Sequence, residues 1–536
     1  MKRCYDYIVI GAGSSGAVVA ARLSEDPAVS VLLLEAGGRT PHPLQRMPLA
    51  FARVAFSRFG TWQFTSEPEP GLGGRTLALP RGRTLGGTSA VNAMIAVRGN
   101  RRDYDRWAEA GLSGWSYAEV LPYFKRLETS WRGAGPYHAD DGPVAISPIR
   151  GDDLLWEPLQ ASAEAAGIAL CDDVNGAAQD GMSRMESTVL DGRRVSSARA
   201  YLDPAQGRQN LTIATGALVR RIIVERGRAV AVDLGSRVIN ATREIVVSAG
   251  AYGSPQLLLL SGIGPADDLR AVGIVPVHDL PGVGHNLAEH PNLIVEYELI
   301  GNEGLSKHLR ADRASIAAAR WFANGHGPFS QTGTMANVFA RTRDGLDRPD
   351  VQMMCLPLSG DARLWWPGLQ RRPPARVSVR TGFLHPQSRG WIKLRSADPR
   401  DPPRILMNLL SEPGDLAGMV RAVRLTRSIY EQSPFRELIR CEVSPGPGHQ
   451  SDAELEAYIR ANAGHRAHPV GTCRLGVDAD AVVDAELKVC GIAGLRVADA
   501  SIMPALPSGN TNLPCMMIGE KAADLIRGRN LPPEYP

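Results

Sequence analysis

The fold of this chain is decided by the stretch YIVIGAGSSGAVVAARLSEDPAVSVLLLE, residues 7–35. Its first four residues are apolar enough for a buried parallel strand, and residues 31–34 form a second run of the same kind. Between the two runs, Gly11, Gly13 and Gly16 fit the pattern G-x-G-x-x-G. The alanine-rich segment that follows predicts a helix. The stretch therefore predicts a strand, a turn, a helix and a second strand in one βαβ unit.

Each part of this unit has a physical task in binding a dinucleotide. Gly11 allows a tight turn, Gly13 lets the backbone approach a pyrophosphate, and Gly16 lets the helix pack close to the sheet. The helix N-terminus presents unpaired N–H groups and the positive end of a dipole to the phosphates. Glu35 follows the glycines by about twenty residues and accepts hydrogen bonds from ribose hydroxyls. The unit predicts a bound dinucleotide, but it does not separate NAD from FAD.

Composition indicates a large globular enzyme. The chain has 536 residues, 44% of them hydrophobic and 22% charged, which predicts at least two lobes. The formal charge of +4 comes with no basic block, so we expect no nucleic-acid partner. No apolar run approaches the roughly 20 residues of an integral membrane segment. Because the first strand begins within a few residues of Met1, we expect no signal peptide. Seven scattered cysteines favour reduced thiols and a cytoplasmic location. The oligomeric state is not readable.

Coarse secondary structure can be read along the middle of the chain. Residues 113–128 predict a capped amphipathic helix, and 416–431 predict another. Three β-rich runs within 209–249 predict a small antiparallel meander that returns to the main sheet. The region 299–376 has less regular patterning, and we expect a substrate-covering lobe or loop there.

Several later segments resemble, in order, the motifs of the glucose–methanol–choline (GMC) family of FAD-dependent oxidoreductases. The resemblance covers nearly the whole chain. The matching segments are RTLGGTSAVN at 83–92, GAYGSPQLLLLSGIG at 250–264, RG at 389–390 with SADP at 396–399, HPVGT at 468–472, and DAS at 499–501 with PSGNTN at 507–512.

The resemblance implies that the cofactor is FAD and that the fold is α/β. It implies a Rossmann-like FAD-binding lobe and an interleaved α+β substrate lobe that contains an antiparallel sheet. The expected FAD lobe consists of residues 1–160, 206–298 and 464–536, the last of these carrying the active-site histidine and asparagine. The expected substrate lobe consists of residues 161–205 and 299–463.

Alcohol oxidation needs a base for the hydroxyl proton, and histidine is the side chain best suited to this near neutrality. His468 is the candidate, because it precedes a proline that holds its backbone extended and aligns with the family's catalytic histidine. His465 lies three residues out of register. His138, His290 and His385 fall in turn-like stretches with no comparable constellation, and we interpret them as structural.

The second catalytic candidate is Asn510. The family carries histidine or asparagine at the matching position, and an amide donates to a substrate oxygen as negative charge develops. An asparagine after a glycine is also an ordinary turn residue. Asn512 is expected to contact the flavin's pyrimidine edge instead, through its backbone.

Cofactor contacts follow from the glycine-rich turn and from the resemblance. The expected FAD-binding residues are Gly11, Ala12, Gly13, Ser15, Gly16, Glu35, Ala36, Leu85, Gly87, Thr88, Asn92, Ala93, Ile95, Val219, Asp499, Ala500 and Asn512. Some family members attach FAD through a histidine just before the motif asparagine. That position is Val91 here, so we expect non-covalent FAD. No metal site is expected from the cysteine spacing.

The sequence thus predicts an FAD-dependent oxidoreductase that oxidises the CH–OH group of a primary or activated alcohol to the aldehyde. A histidine base takes the proton, and hydride passes to flavin N5. Oxygen or a quinone-type acceptor reoxidises the flavin, and the sequence does not decide between them. Arg380 and Arg466 either face solvent or bind an anionic substrate group. The alternative function is a hydroxynitrile lyase or another redox-silent flavoprotein of the same fold.

Overall fold

The computed structural model describes residues 1–39, 42–151, 155–301 and 303–536. Strands β1 to β25 span Cys4–Ile10, Val31–Glu35, Thr61–Thr65, Ala78–Gly82, Glu128–Ser130, Val144–Pro148, Gly181–Arg184, Glu186–Ser187, Val189–Leu190, Arg193–Arg194, Leu211–Thr215, Arg221–Glu225, Arg228–Asp233, Val238–Val247, Ile263–Gly264, His278–Asp279, Pro291–Leu299, Ala336–Ala340, Val351–Leu356, Arg376–Phe383, Trp391–Lys393, Arg404–Leu406, Ile439–Ser444, Gly464–His465 and Leu495–Val497. Helices α1 to α13 span Gly16–Leu23, Pro43–Arg46, Phe51–Ala55, Arg101–Glu109, Tyr117–Leu127, Trp156–Ala165, Gly250–Leu260, Ala266–Ala271, Ala311–Asn324, Pro413–Tyr430, Phe435–Leu438, Asp452–Asn462 and Asn512–Ile526.

The first large sheet contains the predicted βαβ unit. Its order is β11-β2-β1-β14-β13-β12, and β25 also pairs with β14. Strands β11, β2, β1, β14 and β25 pair in parallel, whereas β12, β13 and the start of β14 pair antiparallel. The side chains of Ile8 and Val9 are fully buried, as expected for a strand covered on both faces. The predicted Rossmann-like α/β class is confirmed.

The turn between β1 and α1 requires glycine at two positions. Gly11 has a φ of +98°, and a Cβ there would lie 2.4 Å from the carbonyl oxygen of Ser248. A Cβ on Gly16 would lie 1.9 Å from the carbonyl oxygen of Gly11. These distances are far inside van der Waals contact, so two of the predicted glycines are required by backbone packing alone.

The two ends of the chain meet at this turn. The Ser15 hydroxyl donates a hydrogen bond to the carbonyl oxygen of Cys515 in α13, at 2.7 Å. A Cβ on Gly519 would lie 2.7 Å from the carbonyl oxygen of Ser15, so α13 packs closely against the start of α1. This contact places the C-terminal motif, including Asn512, beside the glycine-rich turn.

The second large sheet is antiparallel throughout. Its order is β23-β17-β20-β19-β18-β7, with β24 paired to β17. One face packs against α10, where the hydroxyls of Thr381 and Thr426 lie 2.9 Å apart. Gly418 allows this approach, because a Cβ there would lie 2.7 Å from the Phe383 ring. The predicted antiparallel sheet is therefore present.

Some of the predictions of local secondary structure are confirmed, and others are wrong. Helix α5 begins after Ser116, whose hydroxyl and N–H both donate to the Glu119 carboxylate in a capping box. The meander prediction was wrong for β11, which pairs in parallel with β2 at the sheet edge. The region 299–376 is more regular than expected, since it holds α9, β18 and β19. All five residues of β18 are buried, so this strand shows no alternating pattern.

Two large hydrophobic clusters underlie the two sheets. One includes residues of β1, β2, β14 and α13, and the other includes residues of β17, β18, β20 and α10. The boundaries expected for the two lobes stay a prediction. No helix in the described part of the chain is long and apolar enough to cross a membrane.

Replacing Gly16 with alanine tests the packing of the turn. The added methyl group collides with the Gly11 carbonyl, so we expect Gly16→Ala to lower the free energy of unfolding by about 1–3 kcal/mol or more. Urea unfolding of the purified protein measures this change. Gly135→Ala is the control, because it adds a methyl group where no described atom lies within 4 Å. Equal stability of the two variants would contradict the packing argument.

Candidate active site

A cavity of about 590 Å³ collects most of the predicted site residues. His468, Asn510, Arg380 and Arg466 all line it. The predicted cofactor residues that line it are Gly11, Gly13, Ser15, Glu35, Ala36, Gly87, Thr88, Asn92, Ala93, Ile95, Val219, Asp499, Ala500 and Asn512. The structure therefore brings segments from both ends and the middle of the chain to one site.

Three predicted cofactor residues are not among the described residues that line the cavity. Ala12 is fully buried, and its N–H donates to the Glu35 carboxylate at 3.0 Å. Gly16 packs against the turn, and Leu85 packs against the core around the first sheet. These three residues pack beneath the cavity wall and do not line the cavity.

The backbone near Gly13 forms a cradle free of side chains. A Cβ on Gly87 would lie 2.6 Å from the Cα of Gly13, so the two glycine-rich segments touch backbone to backbone. A Cβ on Gly13 would have only the Gly87 Cα nearby, at 4.0 Å. Packing within the protein therefore does not require glycine at position 13. A pyrophosphate that lies close to the backbone would require it, because a side chain there would occupy its space.

Two polar groups in the cavity wall also fit a dinucleotide. Glu35 accepts the N–H groups of Ala12 and Gly37, at 3.0 and 2.8 Å, and burial raises its pKa. The Oδ1 of Asn512 accepts from the Ser14 hydroxyl at 2.9 Å. Its Nδ2 is buried and has no hydrogen-bond partner within the described residues. A ligand acceptor would satisfy this donor, so the residues present fit FAD.

The imidazole of His468 is fixed from one side by a second histidine. The Nδ1 atoms of His468 and His290 lie 3.0 Å apart, and the Nε2 of His290 lies 3.0 Å from the carbonyl oxygen of Leu384. A carbonyl only accepts, so His290 carries its proton on Nε2 and accepts at Nδ1. The Nδ1 of His468 is therefore the donor, which leaves the Nε2 of neutral His468 without a proton.

A chain of hydrogen bonds through two side-chain amides reaches the other side of His468. It also indicates that the Nε2 of His468 carries no proton. Arg466 donates to the side-chain oxygen of Gln352, because a guanidinium has no acceptor. The Gln352 amide nitrogen then donates to the Oδ1 of Asn510 at 3.3 Å. This orientation turns the Asn510 Nδ2 towards the Nε2 of His468, at 3.1 Å. The Nε2 must accept this bond.

Electrostatics keep the two imidazoles neutral. Burial lowers the pKa of His468 well below its usual 6.5, and the neighbouring His290 and Arg466 lower it further. Burial also lowers the pKa of His290 well below 6.5. At neutral pH the Nε2 of His468 is an unprotonated base in the cavity wall.

Two family models match this chain. Both are described as GMC oxidoreductase, and they match residues 5–292 and 386–519. The chain belongs to the GMC oxidoreductase family. The membership agrees with the geometry of the site, in which a glycine-rich backbone turn and the His468 imidazole share one cavity.

Related proteins place this GMC oxidoreductase among FAD-dependent enzymes that act on alcohols. An oxygen-dependent choline dehydrogenase of Brucella anthropi is 40% identical over 532 residues, covering 98% of this chain and 96% of that protein. A pyridoxine 4-oxidase structure from Mesorbium loti has a TM-score of 0.87 and 29% identity, covering 98% of this chain and 100% of that chain. The Aspergillus oryzae RIB40 formate oxidase, studied for FAD modification, has a TM-score of 0.91 and 26% identity, with 98% of each chain covered. This chain is an FAD-dependent alcohol oxidoreductase.

Sequence reasoning missed the role of His290 in this GMC oxidoreductase. We interpreted it as a structural histidine in a turn, yet it is fully buried and bonded to His468. The two residues are 178 positions apart in the chain. The contact forms because β17, which begins directly after His290, pairs with β24, which precedes His468. The local signals were a neighbouring acid, Glu289, and a following proline, Pro291, which His290 shares with the His-Pro pair at 468–469. These signals are too weak to predict a partner.

Replacing Gly13 with alanine tests the cradle without disturbing the fold. The methyl group has room in the protein but occupies space needed by a pyrophosphate, so we expect the Kd for FAD to rise about tenfold or more. Titration of the cofactor-stripped protein with FAD measures this. Urea unfolding of the stripped protein should match that of Gly135→Ala. Unchanged FAD affinity would show that no phosphate approaches Gly13.

Proposed function

We propose that this enzyme oxidises the CH–OH group of a primary or activated alcohol to the aldehyde, with His468 as the base and Asn510 orienting the alcohol oxygen. The observation that carries the proposal is the unprotonated Nε2 of His468, which faces an amide donor in the cavity wall. A positioned base is needed because the pKa of an alcohol is far above neutrality.

The hydrogen bond between His468 and Asn510 marks the place of the substrate oxygen. A substrate hydroxyl that donates to His468 Nε2 replaces Asn510 as the partner of that nitrogen. The Asn510 Nδ2 then donates to the substrate oxygen, where negative charge develops as the proton leaves. The amide is already oriented by Gln352, so little reorganisation is needed.

The proton taken by His468 creates an imidazolium in a buried site, and Glu289 offsets its cost. The Oε1 of Glu289 accepts the backbone N–H groups of His468 and His290, at 2.8 and 3.0 Å. Its carboxyl group is fully buried and contacts the backbone of both histidines. An acidic group at this place offsets part of the cost of protonating the base.

In this proposal FAD is held without a covalent bond. When bound, FAD supplies the two-electron oxidant for the substrate carbon. The cradle at Gly13, the Glu35 carboxylate and the free Asn512 amide nitrogen are the groups that support its binding. Val91 is buried in the cavity wall, and an aliphatic side chain offers no nucleophile for attachment to the flavin.

The proposal also covers the two lobes, the cellular compartment and the electron acceptor. The two hydrophobic clusters support a division into two lobes. We propose an FAD lobe of residues 1–160, 206–298 and 464–536 and a substrate lobe of 161–205 and 299–463. All seven cysteines are unpaired, which supports a reducing cytoplasm. The relatives named oxygen-dependent favour molecular oxygen over a quinone-type acceptor.

Removing the base tests the proposed function. His468→Ala should retain FAD but reduce its flavin with alcohols ~10²–10⁴-fold more slowly, because a positioned base contributes about this factor. Anaerobic stopped-flow bleaching over a panel of choline, sugars, and aryl, furanic and aliphatic alcohols measures the rate. His326→Ala, at an exposed position, is the control. Near-normal bleaching in His468→Ala would reject the assignment, and cyanide release from a mandelonitrile without bleaching would favour the lyase alternative.

The acid side of the pH profile tests the state of the base. The pKa of His468 is lowered well below 6.5, so its neutral form persists as the pH falls and is lost only below the lowered pKa. We expect the rate of flavin reduction at saturating alcohol to stay constant between about pH 8 and 6.5. A rate that falls with an apparent pKa above 6.5 would show that the imidazole is not held neutral.

A further inference from the structure

Arg380 occupies a central place in the cavity wall. It lies on β20, between Ile294 of β17 and Met354 of β19. Val379 and Thr381 on either side of it are buried against the core, where Thr381 contacts α10. Because side chains alternate along a strand, Arg380 points to the opposite face, and it lines the same cavity as His468 and Asn510.

The guanidinium of Arg380 has no partner in the part of the chain that the structure describes. Among the described residues, no carboxylate, carbonyl or hydroxyl accepts a hydrogen bond from it, and it takes part in no ion pair. Arg376, four residues earlier on the same face, is paired with Glu296 at 2.9 Å. Arg466 donates to Gln352 and to the carbonyl oxygen of Arg380 itself, at 2.7 Å for the latter. Arg380 is thus a free cation facing the cavity.

Neighbouring charges give this part of the cavity a positive field. Arg466 and Arg81 also line it. The buried acid Glu289 has other contacts: one oxygen accepts two backbone N–H groups, and the other lies 3.7 Å from the Nδ1 of His465 and 3.9 Å from Arg81. Burial lowers the pKa of Arg380, and no nearby acid raises it. A half-buried, unpaired cation is costly, and an anionic ligand would remove that cost.

We propose that Arg380 binds a carboxylate of the substrate, so that the preferred substrate is an alcohol that also carries a carboxylate. This inference rests on the proposed function, since it assigns the substrate class of that same site. A guanidinium holds a carboxylate through two parallel hydrogen bonds, which fixes orientation as well as position. Met354 and Leu356 supply apolar wall for the body of the substrate. A quaternary ammonium alcohol such as choline would bind poorly here, because its positive charge would be repelled by Arg380.

Matched acids and esters test the inference with the FAD-loaded enzyme. The substrates are 3- and 4-(hydroxymethyl)benzoate and 6-hydroxyhexanoate, each compared with its neutral methyl ester and with choline. We expect anaerobic flavin reduction at low substrate concentration to be roughly 10- to 100-fold faster for at least one acid than for its ester, as charged hydrogen bonds provide. Choline should be slower than either. Equal rates for every acid and its ester, or choline as the fastest substrate, would overturn the inference.

Variants assign the preference to Arg380. Arg380→Gln should lose the roughly 10- to 100-fold preference for the acid over its ester, and Arg380→Lys should recover part of it. Arg363→Gln removes one exposed positive charge elsewhere and should keep the full preference. FAD content and thermal unfolding report whether each variant is folded. A full preference in Arg380→Gln would overturn the assignment. If that variant does not retain FAD, the acid-to-ester ratio of the wild type decides.

A ligand that cannot react separates this inference from the proposed function. Binding of 4-methylbenzoate, followed by its perturbation of the flavin absorption, should weaken roughly 10- to 100-fold in Arg380→Gln and stay unchanged in Arg363→Gln. If no alcohol bleaches the flavin but this binding depends on Arg380, the function is wrong and the carboxylate site stands. If alcohols bleach the flavin but 4-methylbenzoate binds both variants equally, the carboxylate site is wrong.

Discussion

Two hydrogen-bond chains of fixed direction end on the two nitrogens of the His468 ring. One starts at the Leu384 carbonyl, which can only accept, and passes through His290 to Nδ1. The other starts at the Arg466 guanidinium, which can only donate, and passes through Gln352 and Asn510 to Nε2. Both require a proton on Nδ1 and a lone pair on Nε2. The protein therefore holds a base ready for the substrate.

The fold places the hydrogen-bond partners of His468 around its ring. His290 directly precedes β17, Gln352 lies on β19, and Leu384 directly follows β20, so three strands of one sheet position the supports. The glycine-rich turn at the carboxyl end of β1 supplies the cofactor cradle on the other sheet. Packing of α13 on α1 brings the base and the cofactor cradle together, because α13 carries the C-terminal motif to the glycine-rich turn.

Much of the cavity lining could be predicted from the sequence because its signals are local. The turn at Gly11 and Gly16 needs glycine for steric reasons within one βαβ unit, and His468 and Asn510 lie in short motifs. The support of the base was not readable, because the His290 contact depends on strand pairing between distant segments. The freedom of Arg380 was equally hidden, since a missing partner becomes visible only when every neighbour is placed.

The proton position on His468 is the central claim, and NMR of the protein labelled with [¹⁵N]histidine tests it most directly. Long-range ¹H–¹⁵N correlations distinguish protonated from unprotonated ring nitrogens, and the signals that vanish in a His468→Gln variant assign the residue. At neutral pH we expect a protonated Nδ1 and an unprotonated Nε2. A protonated Nε2 would contradict the account, since both hydrogen-bond chains would then run in the wrong direction.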